Sequence, residues 1–137
     1  MPPDPVRAEE AGAWLARARA DLRAADVDLA AEPPLPEDAA FHAQQAAEKA
    51  LKGFLAWHDR AFRKTHSIEE LGEQCLALDE RLRGDVDRAV PLTEFAWRFR
   101  YPGEPEALGV EEAEEAVGVA RALYDAVLAL LPDEARP

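Results

Sequence analysis

Two short stretches hold residue types that could do chemistry. His58–His66 reads HDRAFRKTH and sets Arg60, Arg63 and Lys64 against the single carboxylate of Asp59. Trp97–Tyr101 reads WRFRY and interleaves Arg98 and Arg100 with aromatic rings. Arginine's planar fork matches phosphate, and aromatic faces stack on bases. These residues read as a local phosphate or nucleotide site. Arg98 and Arg100 would hold phosphate, Tyr101 would stack or donate, Lys64 would add charge and His66 would hydrogen-bond. The plain alternative is helix chemistry alone. Cations are favoured at helix C-termini, Glu104, Glu106, Glu111 and Glu112 are at hand to pair with them, and Trp97 and Phe99 can be packed.

The rest of the chain limits what else it could do. The net charge is −12, which argues against non-specific DNA binding, where a basic footprint dominates affinity. His42, His58 and His66 have no carboxylate or histidine at metal-ligand spacing on their own helices, and no Glu-x-x-His pair marks a di-metal bundle. Cys75 is the single cysteine, which excludes an internal disulfide framework and a cysteine zinc site. It lies mid-helix with nothing to mark it as a nucleophile. No glycine-rich loop is present to cradle phosphates. No metal or other cofactor is therefore expected. The longest apolar run, Ala126 to Leu131, is far too short to span a bilayer, and no signal-peptide pattern opens the chain. A cytoplasmic protein is expected. The excess of arginine over lysine, with abundant alanine and proline, suits a GC-rich or thermophilic source.

The elements that must position these residues are helical. Helix one spans about Val6 to Ala31, with Ala11, Trp14, Ala18, Leu22, Ala25 and Leu29 on its apolar stripe. The prolines at 33, 34 and 36 stop it. Helix two spans Pro36 or Glu37 to His58 and should lie at the centre of a bundle, because small and large apolar residues alternate along it. Its Gln44, Gln45, Glu48 and Lys49 could form a polar subunit contact or ligand site. The simpler expectation is a solvated face with Glu48 and Lys52 paired at i, i+4. Helix three starts with a Ser67–Glu70 capping box and ends near Leu78. Helix four should run from Gly84 to Val90, kink at Pro91 and continue from Leu92 to Arg100. Helix five spans Val110 to Leu131. No strand-like alternation appears. The expectation is an all-α, up-and-down bundle of about five helices. Residues 1–5 would be a disordered N-terminus, 6–132 a single domain and 133–137 a tail. Helices two and four then end at the same end of the bundle, which brings the two basic stretches together.

Four segments taken in order carry a resemblance: FHAQQAAEKALKGFL at 41–55, KTHSIEEL at 64–71, LTEFAWRFRYPG at 92–103, and the acidic helix start EEAEEAV at 111–117. This pattern resembles the HEPN domain. The resemblance implies a helical bundle that usually dimerises. Stand-alone prokaryotic members are commonly encoded beside a minimal nucleotidyltransferase, often as toxin–antitoxin pairs. Many other HEPN domains are metal-independent ribonucleases with an arginine followed, after four to six residues, by a histidine. Here no histidine follows Arg98 or Arg100 in that window, which holds Gly103, Glu104, Pro105, Glu106 and Ala107. Arg60 and His66 meet the spacing formally, but in the loop between helices two and three. The Arg100-Tyr101-Pro102 form resembles the nucleotidyltransferase-associated branch. The expected function is a non-catalytic, homodimeric protein that binds nucleotide or substrate and assists such a partner, with no membrane association. The alternatives are a ribonuclease toxin using Arg60 and His66, or Arg100 with another base, and a structural dimeric bundle without ligand.

Overall fold

The computed structural model describes residues 4–99, 102 and 107–137. Five α-helices follow in order: α1 (Pro5–Ala30), α2 (Pro36–Trp57), α3 (Ile68–Leu78), α4 (Arg83–Ala89) and α5 (Val110–Ala129). Three short 3-10 segments join them, at Glu80–Leu82, Val90–Ala96 and Asp133–Ala135. No strand occurs among the described residues. The all-α bundle expected from the sequence is the fold observed.

Local chemistry sets most of the ends. Asp4 caps α1 by accepting from the Val6 N–H at 2.9 Å, with Pro5 preset for the first turn. Pro36 opens α2 in the same way, and Glu37 and Asp38 favour its N-terminal dipole. Ser67 caps α3 by accepting from the Glu70 N–H at 3.1 Å. The reciprocal half of the expected capping box is not made. Ser67 N–H donates instead to Thr65 Oγ1 at 3.0 Å, and the Glu70 carboxylate turns to Arg63 at 2.7 Å. Helix four also differs from expectation. The kink at Pro91 does not lead back into an α-helix; residues 90–96 wind as a 3-10 segment. Proline supplies no N–H and its ring crowds the preceding turn, so the tighter winding takes over. The last residues fold back as well: Ala135 is buried and its short segment packs on α1.

α2 is the central element, with α1 and α5 as its main neighbours and α3 and the 90–96 segment against its second half. Fourteen of its 22 residues are buried, and the line of Asp38, His42, Gln45 and Lys49 keeps contact with solvent. Around it lie Leu15, Leu51, Phe54, Leu55, Ile68, Leu71, Leu82, Leu123 and Val127, each essentially fully buried. Each such side chain contributes about 1.5–3 kcal/mol of transfer free energy. Alanines and glycines let the helices close up. A Cβ at Gly53 would lie 3.0 Å from Leu15 Cγ and 3.3 Å from Trp14 Cβ, so this glycine sets how near α1 lies to α2. At Gly72 a Cβ would come within 2.5 Å of Val86 Cγ1. Gly72→Ala should therefore force α3 and α4 apart and cost about 1–3 kcal/mol, read as a shift in the urea midpoint. Among the described residues, no helix is long and apolar enough to cross a membrane.

Candidate functional site

The site is built on one face of α2. Gln44, Glu48 and Lys52 follow at intervals of four residues and so lie in line. Gln44 Nε2 donates to Glu48 Oε2 at 2.8 Å, and Lys52 Nζ donates to Glu48 Oε1 at 2.7 Å. Behind them, Gln45 Nε2 donates to Gln44 Oε1 at 2.6 Å. Gln44 is fully buried, Glu48 is 3% exposed and Lys52 is 8% exposed. The solvated polar face expected of α2 is thus a buried polar network. The reason is the helix's central position, which encloses the line through Gln44, Glu48 and Lys52.

The network reaches the surface through the loop after α2. His66 Nδ1 lies 3.0 Å from Glu48 Oε2, while its side chain remains 61% exposed. Because a carboxylate oxygen can only accept, Nδ1 is the donor of this contact. The sequence places His66 at the helix start and toward a ligand; its tie to a buried carboxylate is an addition that the structure makes. Lys52 Nζ lies 5.3 Å from the Trp14 ring centroid and 5.8 Å from that of Phe62. The two rings meet edge to face at 6.0 Å. Burial acts to raise the Glu48 pKa, but the hydrogen bonds from Lys52, His66 and Gln44, with the Lys52 charge, outweigh it and hold the carboxyl below its ordinary 4.5. Glu48 therefore stays ionised at neutral pH.

The 58–67 loop is fixed at several further points. Arg7 of α1 donates to the Trp57 carbonyl at 2.8 Å and lies over the Trp57 ring, closing the C-terminal end of α2. Asp59 takes a left-handed conformation (φ 54°), and Arg60 N–H donates to the Leu55 carbonyl at 2.9 Å. Gln74 Nε2 of α3 donates to the Ala61 carbonyl at 3.0 Å. Burial first, then repulsion from Arg7 and Arg60, hold His58 below its ordinary 6.5 against the pull of Asp79. An open pocket of about 470 Å³ lies beside the loop, lined by Glu10, Trp14, Asp59, Arg60 and Phe62 among others.

The second basic stretch lies past the 90–96 segment. Arg98 lies 5.1 Å from the Phe99 ring centroid and 6.0 Å from that of Phe95, and those rings stack at 5.9 Å. Its guanidinium reaches Glu94 at 3.6 Å. Trp97 is 51% exposed. Thr93 Oγ1 accepts from the Ile68 N–H at 3.2 Å, which joins this segment to the start of α3, two residues after His66. Among the described residues no hydrogen bond or ion pair joins Arg98 to Lys64 or His66. Arg100 and Tyr101, with Glu104 and Glu106, lie outside the described residues. Arg60 and Lys64 have no carboxylate partner among the described residues, whereas Arg63 is paired to Glu70. Cys75 is buried, and its thiol is pushed up to about 12 by that burial, so it is no nucleophile. No group of three or more potential metal ligands occurs among the described residues.

Sequence reasoning missed the part played by Gln44, Glu48 and Lys52. Their signal was present: three polar residues at intervals of four, in a stretch where alanine, leucine and phenylalanine predominate.

None of the curated proteins matches the sequence. Among solved structures, the crystal structure of TT1696 from Thermus thermophilus superimposes with a TM-score of 0.69 and 31% sequence identity, covering 89% of this chain and 98% of that one. The family model of the HEPN domain matches residues 11–130. With nearly the whole bundle inside that match, from α1 through α5, the chain belongs to the HEPN family.

Proposed function

We propose that this HEPN chain is a non-catalytic, homodimeric protein that binds nucleotide or another phosphate-bearing substrate. It assists a separately encoded minimal nucleotidyltransferase in a toxin–antitoxin-like pair. The observation that carries this reading is the state of the cations in the loop after α2 and at Arg98. On a chain of net charge −12, Arg60 and Lys64 stay without carboxylate partners among the described residues, and Arg98 is only loosely held by Glu94 beside an exposed indole. Neither Glu111 nor Glu112 pairs with them among the described residues. The ligand contacts assigned are Arg98, Arg100, Tyr101, Lys64 and His66. The likeness to a Thermus thermophilus protein supports the prokaryotic branch. The double variant Arg98→Ala/Arg100→Ala should weaken ATP binding by about tenfold or more in calorimetry while the helical circular dichroism is retained. Unchanged affinity would remove these residues from the site.

One observation favours a second reading, a metal-independent ribonuclease. His66 is exposed at one side and backed by the Glu48 carboxylate at 3.0 Å, as a general acid–base group needs. Arg60 lies in the same loop to hold phosphate. An RNA cleavage assay separates the two. Cleavage by the wild type that is lost in His66→Ala favours the ribonuclease; no cleavage by either favours binding.

A further inference from the structure

The 58–67 loop is polar and irregular, yet it is fastened to three helices, and two of its fastenings converge on one buried side chain. His66 meets Glu48 directly. Phe62 covers the ammonium of Lys52, which is itself bound to Glu48, with Trp14 of α1 on the same ammonium. Lys64 stands between these two anchors, and Arg60 just before the first has its N–H bonded back to Leu55.

Stability alone does not call for this arrangement. Removing a carboxylate and an ammonium from water costs more than packing apolar side chains of similar volume. The surroundings on α2 are alanine, leucine and phenylalanine, which would accept such side chains. What the charged network does that an apolar one could not is reach the loop, through a hydrogen bond to His66 and a cation–ring contact to Phe62.

We propose that Glu48 is the positioning residue of the 58–67 loop: one buried carboxylate fixes the loop at His66 and, through Lys52, at Phe62, and so holds Lys64 and Arg60 ready for an oxyanion of the phosphate class. The ligand part rests on the phosphate-binding reading above; the positioning part stands on the contacts alone. A loop ordered in advance loses little further backbone entropy when the anion arrives, so its cations bind more tightly than the same charges on a mobile segment.

The test uses the full chain. Gln44→Met/Glu48→Met/Lys52→Met replaces the network by apolar side chains of similar size and leaves neither charge buried alone. His66→Ala releases one anchor and leaves the ion pair in place. Amide hydrogen exchange is measured at Asp59, Arg60, Ser67 and Ile68, the hydrogen-bonded amides at the two ends of the loop, with α5 as reference, and inorganic pyrophosphate is titrated by calorimetry. In both variants exchange at these amides should quicken by about tenfold or more while α5 is unchanged, and pyrophosphate should bind about tenfold more weakly. Unchanged loop exchange in His66→Ala, or in the triple variant if it folds, overturns the positioning role. A loosened loop with unchanged affinity overturns its service to the ligand. If the wild type does not bind pyrophosphate, the phosphate reading fails by itself, and loop exchange still decides the positioning role.

Discussion

Truncating Glu48 to alanine should lower the unfolding free energy by about 3–5 kcal/mol, because it leaves the Lys52 ammonium buried with no counter-charge. Lys52 is 8% exposed and its nearest other partners are two ring faces, which offer no acceptor. Gln44 loses its acceptor at the same time. The apolar triple variant should instead melt close to the wild type, or above it, because it removes both buried charges together and leaves only the half-buried Gln45 amide to turn to water. Urea unfolding of the two side by side measures the difference. The pH dependence has a definite sign. The folded-state pKa of Glu48 lies below its ordinary 4.5, so its contribution is present above that value and is lost as pH falls through the folded pKa. Lowering the pH below about 4.5 should therefore destabilise the wild type relative to the triple variant, which has nothing to protonate there.

Phe54→Ala should cost about 3–5 kcal/mol as well, through a different term. Phe54 is 1% exposed and is the largest of the fully buried side chains. It sits in the last turns of α2, one residue from the tight approach of α1 at Gly53, and its ring lies 4.6 Å from that of His58. Removing the ring leaves a cavity that the close-packed alanines and leucines around it cannot fill. A fall in Tm of roughly 10–20 °C is expected. This loss should shrink as pH falls below about 6.5, because removing the ring relieves the burial that holds the His58 pKa down and so disfavours the folded wild type there.

Much of this was legible in the sequence because the punctuation is chemical. Pro33, Pro34, Pro36 and Ser67 mark helix ends through lost donors or a capping hydroxyl: α1 stops three residues before Pro33, α2 opens at Pro36 and α3 begins directly after Ser67. The stripe of α5 turned inward as its spacing implied. That of α1 turned inward at Ala11, Ala18, Leu22 and Ala25, whereas Trp14 and Leu29 are only half-buried and Leu15 is buried instead. Two things were not legible. The winding after Pro91 depended on whether the chain would recover α geometry, which a proline permits but does not decide. The setting of Glu48 and Lys52 depended on Trp14 and Phe62, residues far away along the chain. An i, i+4 glutamate–lysine pair reads the same on a surface as inside a bundle, and only the neighbours distinguish them. For the same reason the basic loop could be recognised from its charge, but its tie to a buried carboxylate could not.

The claim that most needs direct measurement is that phosphate-bearing ligands bind to the 58–67 loop together with Arg98, just past the 90–96 segment. Titrating ATP into isotope-labelled protein and following backbone amide resonances locates the site without any mutation. Saturating shifts confined to residues 60–66 and 93–99 are the predicted result. No shifts at all, or shifts centred on the groove between α3 and α4 around Glu69, Glu73 and Asp87, would contradict it.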